Sequence, residues 1–108
     1  MNPVAFDSPV LIIIEAIEEF AFPNVEGHKP DFAKARDVAG KVKAAGDILR
    51  QATPESGSYV NEASYTEPNW QQSFWGDNYG KLLEIKKKYD PHNVFSCHHC
   101  VGSGVVSQ

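Results

Sequence analysis

The chain is short of several things, and each shortage excludes something. Two cysteines and one methionine among 108 residues leave no disulfide framework of the kind that braces small secreted domains. The pattern G-x-G-x-x-G is absent, and no other glycine-rich phosphate loop takes its place. The strongest apolar run, Val10 to Ile14, is far short of the ~20 residues that span a bilayer. Basic charge is not in excess: the net charge is −4 and the isoelectric point about 5.5. This balance gives no support for a nucleic-acid partner. The start, Met1 to Asp7, has no basic region ahead of an apolar core. No signal peptide is therefore read there, and cytoplasm is the default compartment for the chain as given.

What remains suits one small domain. Hydrophobic residues make up 42% of the chain and mean hydropathy is −0.37, values of a globular piece and not of a disordered one. A length of 108 residues is enough for one core and not for two. No internal repeat is visible.

The clearest local signal runs from Trp75 to Cys100. Gly76 breaks what precedes it, and Asp77 reads as a helix N-cap. Tyr79, Leu82, Leu83 and Lys86 then share one helical face, and Leu82, Ile85 and Tyr89 an overlapping one. Lys86, Lys87 and Lys88 fall in the last turn, where cations complement the helix dipole, which also accounts for the lysine cluster without a polyanion. Asp90-Pro91 stops the helix, because the residue before proline disfavours the α region.

Earlier in the chain, residues 1–9 carry Pro3 and Pro9 and are expected to be irregular. Val10-Leu11-Ile12-Ile13-Ile14 is short, mostly β-branched and bounded by proline, which favours a strand over about 10–17. The competing reading is a helix from Ser8 that would gather Ile13, Ile17 and Phe20. After a loop with Pro23, Asn24, Gly27 and Pro30, Asp31 caps a helix over 31–51. Its apolar positions, among them Phe32, Ala35, Val38, Val42, Ala45 and Leu49, recur at three- and four-residue steps. Residues 53–57 read as a turn, 58–63 as a second strand with Tyr59 and Asn61 on one face, and Glu67-Pro68 as the opening of a short helix through Trp75. The tail, Gly102 to Gln108, is small and polar and is expected to fray. The expected fold is α+β: a few-stranded sheet (strands near 10–17 and 58–63) packed with a long helix (31–51) and a C-terminal helix (77–89). Two strands are few for independent stability, so a homodimer, or a strand borrowed from a neighbouring copy, is expected.

The run N-Y-G-K-L-L-E-I-K-K-K-Y-D-P-H-N-V-F, Asn78 to Phe95, resembles the C-terminal signature of the berberine bridge enzyme-like branch of FAD-linked oxidases, N-Y-x-R-L-x-x-I-K-x-K-Y-D-P-x-x-x-F. A Y-x-N element lies upstream, here Tyr59-Val60-Asn61, and Trp70 to Tyr79 is similar to the fungal members especially. The clear match covers residues 57–102. Lys81 is a departure, since the family usually has arginine there and lysine lacks its bidentate fork.

The resemblance implies the function. It makes residues 1–108 a single partial domain, with the FAD-binding domain of the family absent and Met1 starting in mid-domain. The sheet strand near 10–17 would join a sheet covering the flavin. FAD is the implied cofactor, and a small-molecule alcohol, sugar or secondary metabolite the implied substrate once an FAD domain is supplied; alone, the chain is expected to lack activity. Family members are often secreted. By resemblance the Y-x-N segment lies beside the flavin ring, with Tyr59 taking the proton of the substrate hydroxyl as hydride leaves for the flavin. A free phenol, with a pKa of about 10, is a poor base, so such a site must lower it. Many relatives hold an aromatic residue where this chain has Glu62, which leaves Tyr59 and Glu62 both as candidate catalytic groups. Asn61, Lys86 and Asn93 are the candidate cofactor contacts, and Phe95 is expected to plug the core behind the pocket. The plain alternatives are a packing tyrosine, a turn-forming asparagine and an exposed helical lysine.

Cys97-His98-His99-Cys100 is a separate constellation. Cys-x-x-Cys suits a zinc or redox site. In extended chain, however, adjacent His98 and His99 point to opposite faces, and no second ligand pair is present. A disulfide if the protein is secreted, and two buried free thiols, are the other readings. No metal site is assigned. Two further functions stay open beside the oxidoreductase segment: a non-catalytic interaction module that associates with itself or a partner, and a small zinc-binding protein.

Overall fold

The Asp31 carboxylate starts the longest element, accepting the N–H groups of Ala33 and Lys34 at 3.0 Å each. In the computed structural model, which describes residues 1–104, α1 runs over Phe32–Ala52, α2 over Trp70–Trp75 and α3 over Tyr79–Tyr89. Short 3₁₀ turns occupy Pro3–Phe6 and Gly76–Asn78. The chain divides into two units. Ile12–Pro54 makes one, and Met1–Leu11 with the chain from Glu55 onward makes the other. No helix among the described residues is long and apolar enough to cross a membrane.

The α+β expectation is overturned: no strand or sheet forms among the described residues. Val10 to Ile17 is neither strand nor the alternative helix, and every residue of it is exposed, Ile17 at 90%. The physical reason is that a strand exists only through a hydrogen-bonded neighbour. The β-branched side chains of this run set a preference, and nothing among the described residues pairs with it. Residues 58–63 fail as a strand for a different reason. The Ser58 N–H donates to the Ser73 carbonyl in α2, at 2.9 Å, and the Glu62 N–H donates to the Tyr59 carbonyl at 3.0 Å, so the chain bends into a turn.

In the Ile12–Pro54 unit, Val38, Val42, Ala45 and Leu49 form a half-buried stripe on α1, as their spacing predicts. Phe32 and Ile48 are 67% and 69% exposed, and no α1 side chain is fully buried. Lys34 pairs with Glu18 at 2.7 Å, which holds its ammonium above the ordinary pKa. The loop closes on itself where the Phe22 N–H donates to the His28 carbonyl at 2.7 Å.

The other unit is organised around Phe74, the one fully buried apolar side chain among the described residues at 3% exposure. Trp70, one turn earlier, lies 6.3 Å from Phe74 between ring centres and meets Tyr79 of α3 edge-on at 5.6 Å. Helix α2 starts later than Pro68, because Asn69 adopts the left-handed region (φ 49°) and serves as N-cap. Gly76 ends it with φ 52°, as a helix-breaking glycine should. Asp77 does not cap α3: it sits inside the 3₁₀ turn, and Asn78 takes the cap position without a side-chain bond.

The N-terminus is ordered by a contact that no local pattern announces. The Asn2 side chain is 9% exposed; its Nδ2 donates to the Gln72 and Ser73 carbonyls at 3.0 Å each, and its Oδ1 accepts the Val4 N–H at 3.2 Å. Each of these carbonyls near the end of α2 also accepts a backbone N–H, Gln72 from Gly76 and Ser73 from Ser58, so Asn2 is a second donor to both. Gly57 and Gly76 make room for it. A Cβ on Gly57 would lie 2.7 Å from Asn2 Nδ2 and 2.9 Å from the Ser73 carbonyl oxygen, and one on Gly76 would lie 2.6 Å from Asn2 Oδ1. The Pro3–Phe6 turn that follows replaces the irregular start expected from the two prolines. At the other end, Gly102 is buried and not frayed: its N–H donates to the Tyr79 hydroxyl at 3.4 Å, and a Cβ there would meet Lys86 and Leu83. Residues 105–108 of the expected frayed tail lie outside the described residues.

Asn2→Ala would take one of two donors from each of the Gln72 and Ser73 carbonyls and leave the backbone beside Gly57 unfilled. A loss of about 1–3 kcal/mol is expected, read as a lower urea midpoint. Asn2→Asp, which keeps the size but not the donor, should lose as much.

Candidate functional site

Two groups of residues carry the polar chemistry of this unit. The first is built on the turn after Gly57. Ser58 is held from both sides, its N–H on the Ser73 carbonyl and its hydroxyl on Glu67 Oε1 at 3.1 Å. The same carboxylate oxygen accepts the Ser73 hydroxyl at 2.9 Å, and Glu67 is only 5% exposed. A buried carboxylate thus ties the start of the turn to α2. Tyr59 emerges next, 41% exposed, and the Asn61 amide donates to its hydroxyl oxygen at 2.7 Å. The Y-x-N pair is therefore brought together, although by a turn and not by the shared face of a strand. Glu62 closes the turn through its backbone, and its side chain is exposed.

The second group is a hook at the end of α3. Lys86 reaches both Asp90 Oδ2 and the Phe95 carbonyl. Asp90 in turn accepts the Val94 N–H at 2.8 Å and the Phe95 N–H at 3.0 Å. Side-chain exposure is 17% for Lys86 and 10% for Asp90, so this is a sheltered pair. The Lys86 hydrogen bond holds the Asp90 carboxyl below the usual carboxylate range, and the two backbone N–H groups add to the effect against the cost of burial. Asn93 sits in the left-handed region at φ 51°, which asparagine tolerates better than most residues, and its N–H donates to the Asp90 carbonyl at 3.0 Å. Asp90-Pro91 thus stops the helix and also gathers the segment behind it. Phe95 does not plug the core: it is 80% exposed, and the hook uses its backbone. On α3, Leu82, Leu83 and Lys86 turn inward, while Ile85 and Tyr89 are 45% and 76% exposed.

Cys97 and Cys100 form a disulfide with Cα atoms 5.2 Å apart, so the free-thiol reading is corrected. No group of three or more metal-ligating side chains gathers among the described residues. Between the cysteines, His99 takes φ 57°, and this turns the adjacent rings onto one side, stacked 3.7 Å apart. The opposite-faces rule failed because it assumes extended chain. His98 stacks on Tyr65 at 3.9 Å and contacts the Tyr65 carbonyl through Nε2 at 2.6 Å, and His99 stacks on Trp70 at 5.1 Å. Burial pushes the His99 imidazole below its ordinary value, helped by His98 and opposed by Glu67. This ring stack was not legible in the sequence, apart from the aromatic and histidine content itself.

The family match falls on the same stretch, and the matches to individual relatives are longer. The family model described as berberine and berberine like matches residues 58–102, from the Ser58 anchor to the buried Gly102. The chain carries a berberine-like segment. It is 54% identical over 80 residues to an FAD-linked oxidoreductase of Arthroderma benhamiae, covering 70% of this chain and 14% of that protein. It is 43% identical over 77 residues to a VAO-type flavoprotein oxidase of Thermothelomyces thermophilus, covering 68% of this chain and 13% of that one. With the FAD-linked oxidoreductase ffsJ of Aspergillus flavipes, identity is 41% over 71 residues, covering 66% and 12%. The chain thus spans 14%, 13% and 12% of the length of these relatives. No solved structure matches it.

Within the berberine-like segment, the candidate site residues differ in what they leave open. Tyr59 and Asn61 are exposed and paired, whereas the Lys86 ammonium is already committed to Asp90 and the Phe95 carbonyl.

The hook makes a pH prediction. Because the folded Asp90 pKa lies below the ordinary 3.8, its contribution is fully present above that value and is lost as pH falls through the lower, folded one. Hydrogen exchange of the Val94 and Phe95 amides should accelerate, relative to intrinsic rates, as pH drops below about 4. In Asp90→Asn, protection of both amides should already be reduced at neutral pH and should show no such acid step.

Proposed function

We propose that this chain supplies the substrate-side wall of an FAD-dependent oxidoreductase that oxidises alcohol, sugar or secondary-metabolite substrates. The observation that carries the reading is the Asn61-to-Tyr59 hydrogen bond of 2.7 Å inside the berberine-like segment. It presents an exposed phenol with a donor fixed on its oxygen, the arrangement a proton acceptor needs. FAD, when bound, would supply the two-electron acceptor. The protein's own part is to hold and move a proton. Tyr59 takes the substrate hydroxyl proton at Oη, Asn61 orients that oxygen, and Glu67 and Ser58 fix the turn from which Tyr59 projects. Glu62, exposed and three residues on, is the competing base. Asn93 is the cofactor-side residue on the hook, and Lys86 serves the cofactor by fixing the hook that carries Asn93.

The test replaces the matching stretch of the Arthroderma benhamiae relative with residues 58–102 and follows bleaching of flavin absorbance with a panel of alcohols under anaerobic conditions. Tyr59→Phe should slow reduction by about 10²–10⁴-fold, the usual worth of a general base, with flavin content unchanged. Parental rates in Tyr59→Phe and slow ones in Glu62→Gln would transfer the role to Glu62. Parental rates in both would sink the proposal.

A second reading, a module that associates with its own copies, is favoured by Val10 to Ile14, Ile17 and Phe20, which are all exposed. Sedimentation over a wide concentration range should then show a dimer that Ile12→Lys and Ile14→Lys together abolish. A monomer at every concentration would dismiss this reading.

A further inference from the structure

The Cys97–Cys100 disulfide is not placed as a brace. It closes a loop with two residues between the cysteines, and so short a loop removes little freedom from the unfolded chain. The segment is fastened by other means on both sides, by the Asp90 hook before it and by Gly102 on Tyr79 after it. Cys97 is exposed and Cys100 half-buried, so one sulfur is open to attack and the other is positioned to leave. Exposed disulfides are the readily exchanged ones. The disulfide also holds something. Within its two-residue span His99 adopts φ 57°, and in that conformation His98 and His99 stack on each other and bridge Tyr65 to Trp70. Non-glycine residues favour leaving the left-handed region when nothing holds them there.

We propose that Cys97 and Cys100 form a reversible thiol–disulfide exchange site for low-molecular-weight thiols, and that its redox state sets whether the Tyr65–His98–His99–Trp70 ring stack is closed or released. The thiolate of a small thiol such as glutathione attacks Cys97 Sγ and forms a mixed disulfide. The Cys97–Cys100 bond breaks, and its electron pair leaves on Cys100 Sγ, which takes a proton from solvent. A second small thiolate attacks its own kind in the mixed disulfide and releases Cys97 as a thiolate. Two small thiols are oxidised to one small disulfide, and the protein gains two thiols. Opening frees His99 to return to negative φ, which separates its ring from Trp70. This inference is independent of the oxidoreductase reading, since it concerns neither Tyr59 nor a flavin.

The experiment equilibrates the full chain in reduced and oxidised glutathione mixtures without denaturant. Thiols are then counted by alkylation and mass, and tryptophan emission and the histidine ring resonances are recorded on the same samples. Both cysteines should become alkylated together. Tryptophan emission should rise in step, because a stacked imidazole no longer quenches Trp70, and the His98 and His99 ring resonances should shift. The double variant Cys97→Ser, Cys100→Ser should match the reduced form by both spectroscopic readouts and be indifferent to glutathione. A disulfide that opens only after denaturation would overturn the exchange site. Opening with unchanged emission and unchanged histidine resonances would overturn the link to the ring stack. Should the double variant fail to fold, the wild-type titration decides both points.

Discussion

A single carboxylate turns the end of a helix into a usable platform. Asp90 accepts the Lys86 ammonium and two successive backbone N–H groups, and through them it dictates the path of the chain from Pro91 to Phe95. Each of those bonds is charge-assisted, which makes it stronger than a neutral one, and the shelter of the pair reduces screening by solvent. Without the carboxylate, the Val94 and Phe95 N–H groups and the Lys86 ammonium would lose their shared acceptor. The disulfide loop and Gly102 follow directly from where the hook releases the chain.

Polar connection carries much of this fold because apolar burial is scarce. Phe74 alone is fully buried among the apolar side chains described, and twenty large apolar residues, from Met1 to Phe95, stand exposed. In place of a deep core there is a ring of directed contacts: Asn2 on the end of α2, Glu67 between Ser58 and Ser73, Asp90 on its hook, and aromatic rings stacked through His98 and His99. Such contacts fix geometry well and contribute less stability than an equal number of buried aliphatic chains. One polar atom goes unanswered: the Trp75 Nε1–H is buried with no acceptor among the described residues, on the helix that Asn2 closes.

What could be read in advance was whatever short-range chemistry decides. The Asp31 cap, the three- and four-residue steps of α1, and the Asp90-Pro91 stop all act within one or two turns, and each lies where its residues announced it. Tyr59 and Asn61 meet through a turn and not on the strand face expected of them. The strands did not survive. Val10 to Ile14 has the side chains of a strand, but pairing is a property of a neighbour and not of the run itself. The ring stack escaped notice because one left-handed residue, His99, reverses the direction a side chain takes, and the sequence marks no glycine there. The hook was half legible: its stop was plain, but its backbone acceptor role was not.

Asn2 and Ser73 touch across 71 positions of sequence, and the whole Ile12–Pro54 unit lies between them. That unit is, in topological terms, an insertion into its host. Asn2 therefore waits for its place until its acceptors on α2, 70 and 71 positions later, are made. Closing so long a loop is entropically insensitive to its length, with each doubling costing only about 0.6 kcal/mol. A longer or shorter inserted stretch therefore costs the host little in closure entropy. A change of one atom at Asn2, by contrast, is felt at once at the far end of the loop.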